Sequence, residues 1–136
     1  MIDDNAGLRA LLENTRTIAV VGMSANPDRP SNEVAQYLRN AGYTIIPVNP
    51  SCDEILGEKC YPSLRDVPVG IDMVDVFRNP DDVMPIVDDA IAVGAKILWL
   101  QLGVIVPEAV KRAEAAGLAV VMDHCTKIEH RRLMTA

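Results

Sequence analysis

The stretch TIAVVGMSANPDRPSNEV, residues 17–34, decides the fold. Its first five residues, Thr17–Val21, are β-branched or apolar, which is typical of a parallel strand that is buried on both faces. A glycine turn follows at Gly22, and Ser31 then stands as an N-cap residue before a helical pattern. A buried strand, a glycine turn and a helix in this order form the opening unit of a doubly wound α/β domain.

The rest of the chain repeats this alternation of short apolar runs and helical patterns. The predicted strands are residues 17–21, 44–48, 73–77, 96–100 and 118–122. The predicted helices are residues 6–13, 31–41, 79–94, 106–116 and 128–133. Strands that alternate with helices form a parallel sheet with right-handed crossovers. We therefore predict a Rossmann-like, doubly wound sheet of five parallel strands in the order 3-2-1-4-5, with helices on both faces.

Length and composition limit the class of protein. A chain of 136 residues fits one domain, predicted to span 1–136 with an N-terminal helix within 1–14 and a short C-terminal helix and tail at 127–136. The net charge of −6 disfavours nucleic-acid binding, which needs a basic face. Neither a signal peptide nor a membrane span is predicted, because the N-terminus has no basic start and the longest apolar stretch is too short.

The three cysteines, Cys52, Cys60 and Cys125, are odd in number and have no C-x-x-C spacing. This pattern favours reduced thiols over a disulfide framework or a metal site. We therefore expect a cytoplasmic protein without a bound metal.

In a doubly wound sheet, the ligand lies at the carboxyl ends of the strands, where the strand order reverses. A dinucleotide fingerprint is disfavoured there, because Ser24 and Pro27 replace two of its glycines and Asn49 replaces the acid that ends the second strand. A P-loop is excluded because no Lys lies between Gly22 and Ser31. A phosphoacceptor receiver domain is excluded as well, because Phe77-Arg78-Asn79 stands where that class needs an Asp.

The remaining strand-end residues favour an anion. The Ser24 hydroxyl and the N–H groups at the start of the second helix are donors for phosphate, and Arg29 and Arg78 supply charge. Phe77 lines the crevice beside an adenine in this interpretation. The structural alternatives stay open: Ser24 and Ser31 as turn and cap residues, Phe77 and Trp99 as core, and Arg78 as a solvated charge.

Several segments resemble a known family: IAVVGMSANPDRPSNEVAQYLRNAGYTIIPVNP, YPSLRDVP, DMVDVFRNP, ILWLQLGV and AGLAVVMDHC. Together they are similar to the stand-alone coenzyme A-binding domains of the YccU-like type and to the CoA-binding Rossmann domain of succinyl-CoA synthetase alpha subunits. The resemblance runs from about residue 15 to residue 133.

The resemblance implies a CoA site. Its phosphates would meet Gly22, Met23, Ser24, Arg29, Pro30 and Ser31. The pantetheine and pyrophosphate path would be lined by Val48, Asn49 and Pro50, the adenosine end would contact Phe77 and Arg78, and Gln101 and Gly103 would face the same crevice. Where the family often reads Asp-Arg-Cys-Pro, this chain reads Asp-His-Cys-Thr at 123–126, so no role for that Arg is carried over. His124 and Cys125 adjoin and point apart on an extended chain, which disfavours a catalytic pair.

The leading hypothesis is a non-catalytic carrier, sensor or partner module that binds CoA or an acyl-CoA. The synthetases rely on a phosphohistidine in a further domain and on ATP-grasp machinery, and we expect neither here. The alternatives are a small NAD(P)-dependent or other nucleotide-linked enzyme, and a scaffold whose crevice stays empty. A homodimer and an unidentified protein are the partner hypotheses.

Overall fold

The computed structural model describes residues 1–135, and a central parallel sheet runs through them. In chain order the strands are β1 (Thr17–Val21), β2 (Thr44–Val48), β3 (Glu54–Ile55), β4 (Glu58–Lys59), β5 (Met73–Val76), β6 (Ile97–Leu100) and β7 (Ala119–Val121). The α-helices are α1 (Asn5–Glu13), α2 (Pro30–Asn40), α3 (Val83–Ala92), α4 (Pro107–Ala115) and α5 (Thr126–Met134), with 3-10 turns at Leu64–Asp66 and Pro80–Asp82.

The sheet is covered on both faces because its strands are apolar on both faces. The buried stripes of α1, α2 and α5 pack on one face in a cluster that contains Trp99. Those of α3 and α4 pack on the other face around Val74 and Leu98. The predicted fold class, a Rossmann-like sheet of five parallel strands between helices, is confirmed.

The strand order differs from the prediction. The sheet reads β2-β1-β5-β6-β7, which is 2-1-3-4-5 when its five strands alone are numbered, so the third strand lies beside the first and not outside the second. Pro47 shows why β2 is an edge strand: its carbonyl faces outward to the N–H of Tyr61, and a proline has no N–H with which to continue a ladder on that side. The order therefore reverses between β1 and β5.

Several boundaries also differ. The helix α2 begins at Pro30 with Arg29 at the N-cap position, so Ser31 is not the N-cap residue. Pro85 falls in the first turn of α3, where its missing N–H breaks no bond and causes no kink. The last helix begins at Thr126 and not at residue 128, and Ala136 of the predicted tail lies outside the described residues.

The small β3–β4 hairpin is not predicted by the sequence patterns. Its two turn residues, Leu56 and Gly57, have φ of 55° and 75°, as a mirror-image type I turn requires. A leucine in this conformation gives no sequence signal for such a turn. Along residues 1–135, no helix has the length and apolar character needed to cross a membrane.

Candidate functional site

Two adjoining cavities open at the carboxyl edge of the sheet, where the strand order reverses. The larger, called the crevice here, has a volume of about 540 Å³ and is lined by Gly22, Ser24, Arg29, Pro30, Ser31, Phe77, Arg78, Asn79, Asp82, Gln101, Leu102 and Val104. The smaller, called the side pocket, has about 300 Å³. Gly22, Arg78 and Asp82 line both, so the two cavities adjoin along these residues, and together they are called the groove.

Gly22 allows the ends of β1 and β5 to meet at the centre of this groove. Its φ is +83°, and a Cβ there would lie 2.3 Å from the carbonyl oxygen of Phe77 and 2.8 Å from Cδ of Arg78. Only glycine fits such a contact. The residue is therefore required by the approach of Phe77 and Arg78 to the first turn, as well as by the turn itself.

The loop of residues 22–31 is held by its own polar groups. The Ser24 N–H donates to Oγ of Ser31 (2.9 Å), and the Asn26 N–H donates to Oγ of Ser24 (3.1 Å). From outside the loop, Nδ2 of Asn49 donates to the carbonyl of Met23 (2.9 Å), and Nδ2 of Asn32 donates to that of Ser24 (2.8 Å). These bonds fix the loop in front of the first turn of α2.

Both serine hydroxyls in this loop accept a backbone N–H and keep a proton to donate. In the part of the chain that the structure describes, neither hydroxyl donates a hydrogen bond to another protein group. A hydroxyl is one donor and an acceptor at once, so each of them offers its O–H to a ligand in the crevice. Ser31 is buried, so its hydroxyl has little access to water as an alternative acceptor. The pair suits a ligand that is rich in acceptor atoms.

Two guanidinium groups give this part of the crevice its positive charge. Arg29 stands at the N-cap position of α2, beside the positive end of the helix dipole. Arg78 pairs with Asp82 across 3.4 Å, and the two side chains are 41% and 45% exposed. An exposed ion pair at this distance is weak, so breaking it costs little free energy.

Behind Gln101, which lines the crevice, lies a buried polar network. Nε2 of Gln101 lies 2.6 Å from Oδ1 of Asp75 and 2.9 Å from Oγ1 of Thr126, and Oγ1 of Thr126 lies 3.0 Å from Oδ2 of Asp75. Burial raises the pKa of Asp75 to about 7, although both hydrogen bonds favour its charged form. Asp75 is not among the predicted site residues, because an acid within an apolar strand is not expected to be buried.

Ten of the thirteen predicted site residues lie in the groove. Gly22, Ser24, Arg29, Pro30, Ser31, Phe77, Arg78 and Gln101 line the crevice, and Val48 and Pro50 line the side pocket. The other three line neither cavity. Met23 is fully buried in the core, Asn49 supports the Met23 carbonyl, and the exposed Gly103 donates its N–H to Asp123.

Sequence reasoning missed several lining residues, chiefly those of the side pocket. Asn79, Leu102 and Val104 stand inside the motifs FRNP and LQLGV but were not selected. The side-pocket residues Pro62, Ser63, Leu64, Pro85 and Ile86 come from an irregular segment and from the first turns of α3. No spacing pattern marks them, because they meet only through the fold.

The residues that suggested other chemistry have structural partners. Nδ1 of His124 lies 3.2 Å from Oε1 of Glu129, and the His124 carbonyl accepts the indole N–H of the fully buried Trp99. Phe77 is half-buried, because it packs on the core and also lines the crevice. Across residues 1–135, no group of three His, Cys, Asp or Glu side chains is arranged to hold a metal ion.

Comparison with known proteins gives consistent matches. A family model described as a CoA binding domain matches residues 16–131. The uncharacterized protein YneT of Bacillus subtilis is 38% identical over 125 residues, covering 92% of this chain and 93% of that protein. A hypothetical protein from Pyrococcus horikoshii has a solved structure with a TM-score of 0.94 and 42% identity, covering 97% of this chain and 93% of that one.

A larger protein contains a similar unit. The dinucleotide-forming acetyl-coenzyme A synthetase 1 of Ca. Korarchaeum cryptofilum, solved with phosphate and ADP, matches with a TM-score of 0.72 and 31% identity. The match covers 86% of this chain but only 27% of the synthetase, so this chain corresponds to about a quarter of that protein.

Proposed function

The chain belongs to the family of CoA binding domains, and from this premise we propose that it binds coenzyme A or an acyl-CoA in the groove between β1 and β5. The observation that carries the proposal is the pair of hydroxyls of Ser24 and Ser31, which accept backbone N–H groups and keep their protons for a ligand. The diphosphate of CoA supplies the acceptor oxygens that these protons need.

The charges of the loop support the same assignment. Arg29 and Arg78 both line the crevice, and Arg78 gives up only a weak ion pair to reach a phosphate. The start of α2 adds the positive end of a helix dipole. The chain as a whole is acidic, so anion binding depends on this local arrangement.

The side pocket suits the adenine ring, so we assign Val48 and Pro50 to the adenosine end and not to the pantetheine and pyrophosphate path that the family resemblance implies for them. Its walls include a set of apolar side chains and prolines beside the charged groups of Arg78, Asp81, Asp82 and Asp89. The apolar set is Val21, Val48, Pro50, Pro62, Leu64, Pro85 and Ile86. A flat, weakly polar ring gains by leaving water for such walls. Arg78 borders both cavities and so lies beside the adenosine end, whereas Phe77 lines only the crevice.

We propose a non-catalytic role, as a carrier, sensor or partner module. Ionisable side chains that line the crevice are Arg29, Arg78 and Asp82, and the carboxylate of Asp82 is paired with Arg78. This set is suited to holding phosphate and offers no paired nucleophile and base.

A ligand panel tests the proposal. The thermal unfolding of the purified chain is measured with CoA, acetyl-CoA, NADH and no ligand at equal concentrations. We expect CoA and acetyl-CoA to raise the unfolding temperature more than NADH does, because bound ligand stabilises the folded state by mass action. A larger shift with NADH, or no shift with any ligand, would overturn CoA binding. Acetyl-CoA recovered cleaved after incubation with the chain would overturn the non-catalytic role.

A further inference from the structure

We infer that Gln101 presents its side-chain carbonyl oxygen to the crevice as an acceptor for the neutral pantetheine arm of the ligand, and that Asp75 and Thr126 are positioning residues that fix this orientation. The inference rests on the proposed function and adds to it a direction for the ligand along the groove.

The three side chains form a closed and buried set. Asp75 and Thr126 have no exposed surface, and Gln101 is 4% exposed. The amide nitrogen Nε2 of Gln101 lies within hydrogen-bond distance of both an oxygen of Asp75 and the hydroxyl of Thr126. The Thr126 hydroxyl in turn reaches the second oxygen of Asp75. With Asp75 ionised, the three groups can satisfy one another in only one arrangement of their protons.

The chemistry of the groups decides which end of the amide faces inward. An ionised carboxylate only accepts hydrogen bonds, so the nitrogen of Gln101 has to face Asp75. The single proton of Thr126 goes to Asp75, and the Thr126 oxygen then accepts the second N–H of Gln101. Both protons of the amide are used in this way, and the carbonyl oxygen Oε1 of Gln101 is left without a partner in the network.

That oxygen is open to the crevice. Among residues 1–135, no buried side-chain nitrogen or oxygen lacks a hydrogen-bond partner. Oε1 of Gln101 makes no such bond within the same residues, so it is accessible, and the crevice is the cavity that Gln101 lines. A ligand therefore meets an acceptor at this wall.

An acceptor in front of a buried carboxylate disfavours phosphate and favours N–H or O–H donors. The phosphates belong at the other wall, with Arg29 and the serine hydroxyls. The strand order adds the direction: the side pocket opens beside the end of β2, and Gln101 follows β6, three strands away. With adenine in the side pocket, the group that reaches Gln101 is the pantetheine arm, whose amides and hydroxyl carry donors.

Calorimetric titration of two ligands separates this inference from the proposed function. CoA and adenosine 3′,5′-bisphosphate, which lacks the pantetheine arm, are titrated at pH 8 into the wild-type chain and into Gln101→Met. We expect Gln101→Met to weaken CoA binding by about three- to tenfold, the range for one hydrogen bond, and to leave bisphosphate binding unchanged. An equal loss for both ligands would place the donor on adenosine and overturn the inference, as would no loss for either. A wild-type chain that binds neither ligand would instead refute the proposed function.

A matched pair of variants at Thr126 tests its positioning role. Thr126→Ser keeps the hydroxyl and is expected to restore wild-type CoA affinity, whereas Thr126→Val removes it and is expected to weaken CoA but not the bisphosphate. Equal CoA affinity in the two variants would overturn the role of Thr126. The wild-type chain supplies a second readout that does not depend on the folding of Thr126→Val. The ¹³C resonance of the Gln101 side-chain carbonyl should shift with CoA and stay unchanged with the bisphosphate, and the reverse result would contradict the inference.

Discussion

The loop of residues 22–31 and the buried network of Asp75, Gln101 and Thr126 both border the crevice, the network through Gln101 alone, but they use their hydrogen-bonding capacity differently. In the loop, the hydroxyls of Ser24 and Ser31 accept backbone N–H groups and keep their protons. In the network, every proton of the Gln101 amide and the Thr126 hydroxyl is donated to another member.

The loop therefore has donors that are free to bind a ligand, whereas the donors of the network are all used within the protein. The loop has donors and positive charge without protein partners of equal strength, so we expect its substitutions to change binding. The network lies in the core and holds a carboxylate away from water, which is costly. We expect its substitutions to change stability first, and binding only through the orientation of Gln101.

The largest expected effect is the pH dependence of stability that Asp75 causes. Burial raises the pKa of Asp75 from its ordinary 3.8 to about 7 in the folded chain, so the folded state holds the proton more tightly than the unfolded state does. Its contribution to stability is therefore complete below about pH 4 and is lost as the pH rises through 7. The side chain of Asp75→Asn stays neutral at every pH. Relative to this variant, the free energy of unfolding of the wild-type chain should fall by on the order of 4 kcal/mol between about pH 4 and pH 7.

Urea unfolding of both proteins between pH 4 and pH 8 measures this difference. A stability difference between wild-type and Asp75→Asn that stays constant with pH, or that grows in favour of wild-type as the pH rises, would contradict the account.

The next largest effect is expected in the backbone of the loop. Gly22→Ala should lower the free energy of unfolding by about 3 kcal/mol, because its Cβ would collide with the carbonyl of Phe77 and its φ is unfavourable for alanine. Gly103→Ala is the matched control: its φ is +80°, and a Cβ there meets nothing within 4 Å, so about 1 kcal/mol of backbone strain is expected. Equal losses in chemical denaturation would show that the contact with Phe77 carries no energy.

A smaller effect is expected on binding when a loop-facing charge is removed. Arg78→Ala should lower the affinity for CoA by about ten- to a hundredfold, the range for a hydrogen bond to a charged group. It should change the free energy of unfolding by less than about 0.5 kcal/mol. Arg112→Ala is the control, because Arg112 pairs with Asp88 away from the groove. Calorimetry that finds the two variants alike would remove Arg78 from the site.

The smallest effect concerns a single neutral hydroxyl. Ser24→Ala should lower the affinity for CoA by about three- to tenfold and leave the unfolding temperature close to that of the wild-type chain. Ser51→Ala, at a serine that lines neither cavity, should change neither quantity. A loss of stability in Ser24→Ala without a loss of affinity would make Ser24 a turn residue and weaken the contrast between loop and network.

The fold was predictable where local pattern decides it. The bounds of β1 and β2 agree with the prediction because apolar runs end at turn residues there. The strand order depends on which strands pair across long stretches of chain, and apolar runs carry no such information. Pro47 was the available signal, since a proline with its missing N–H directed outward belongs to an edge strand.

The candidate site divides in the same way. Ser24, Arg29 and Arg78 could be selected because strand ends converge at one edge of a parallel sheet. Asp75 could not be, because its partners Gln101 and Thr126 lie 26 and 51 residues away and only packing brings them together. The side pocket was missed for the same reason.

The central claim is that CoA occupies the groove between β1 and β5. Backbone amide NMR during titration with CoA tests it most directly. The account predicts that the largest chemical-shift changes fall at residues 22–31, 77–79 and 101–104 of the crevice and at residues 48, 63–64 and 86 of the side pocket. Changes concentrated instead on the outer faces of α3 and α4, around Met84, Ile91 and Glu108, would contradict it, because those residues line cavities outside the groove.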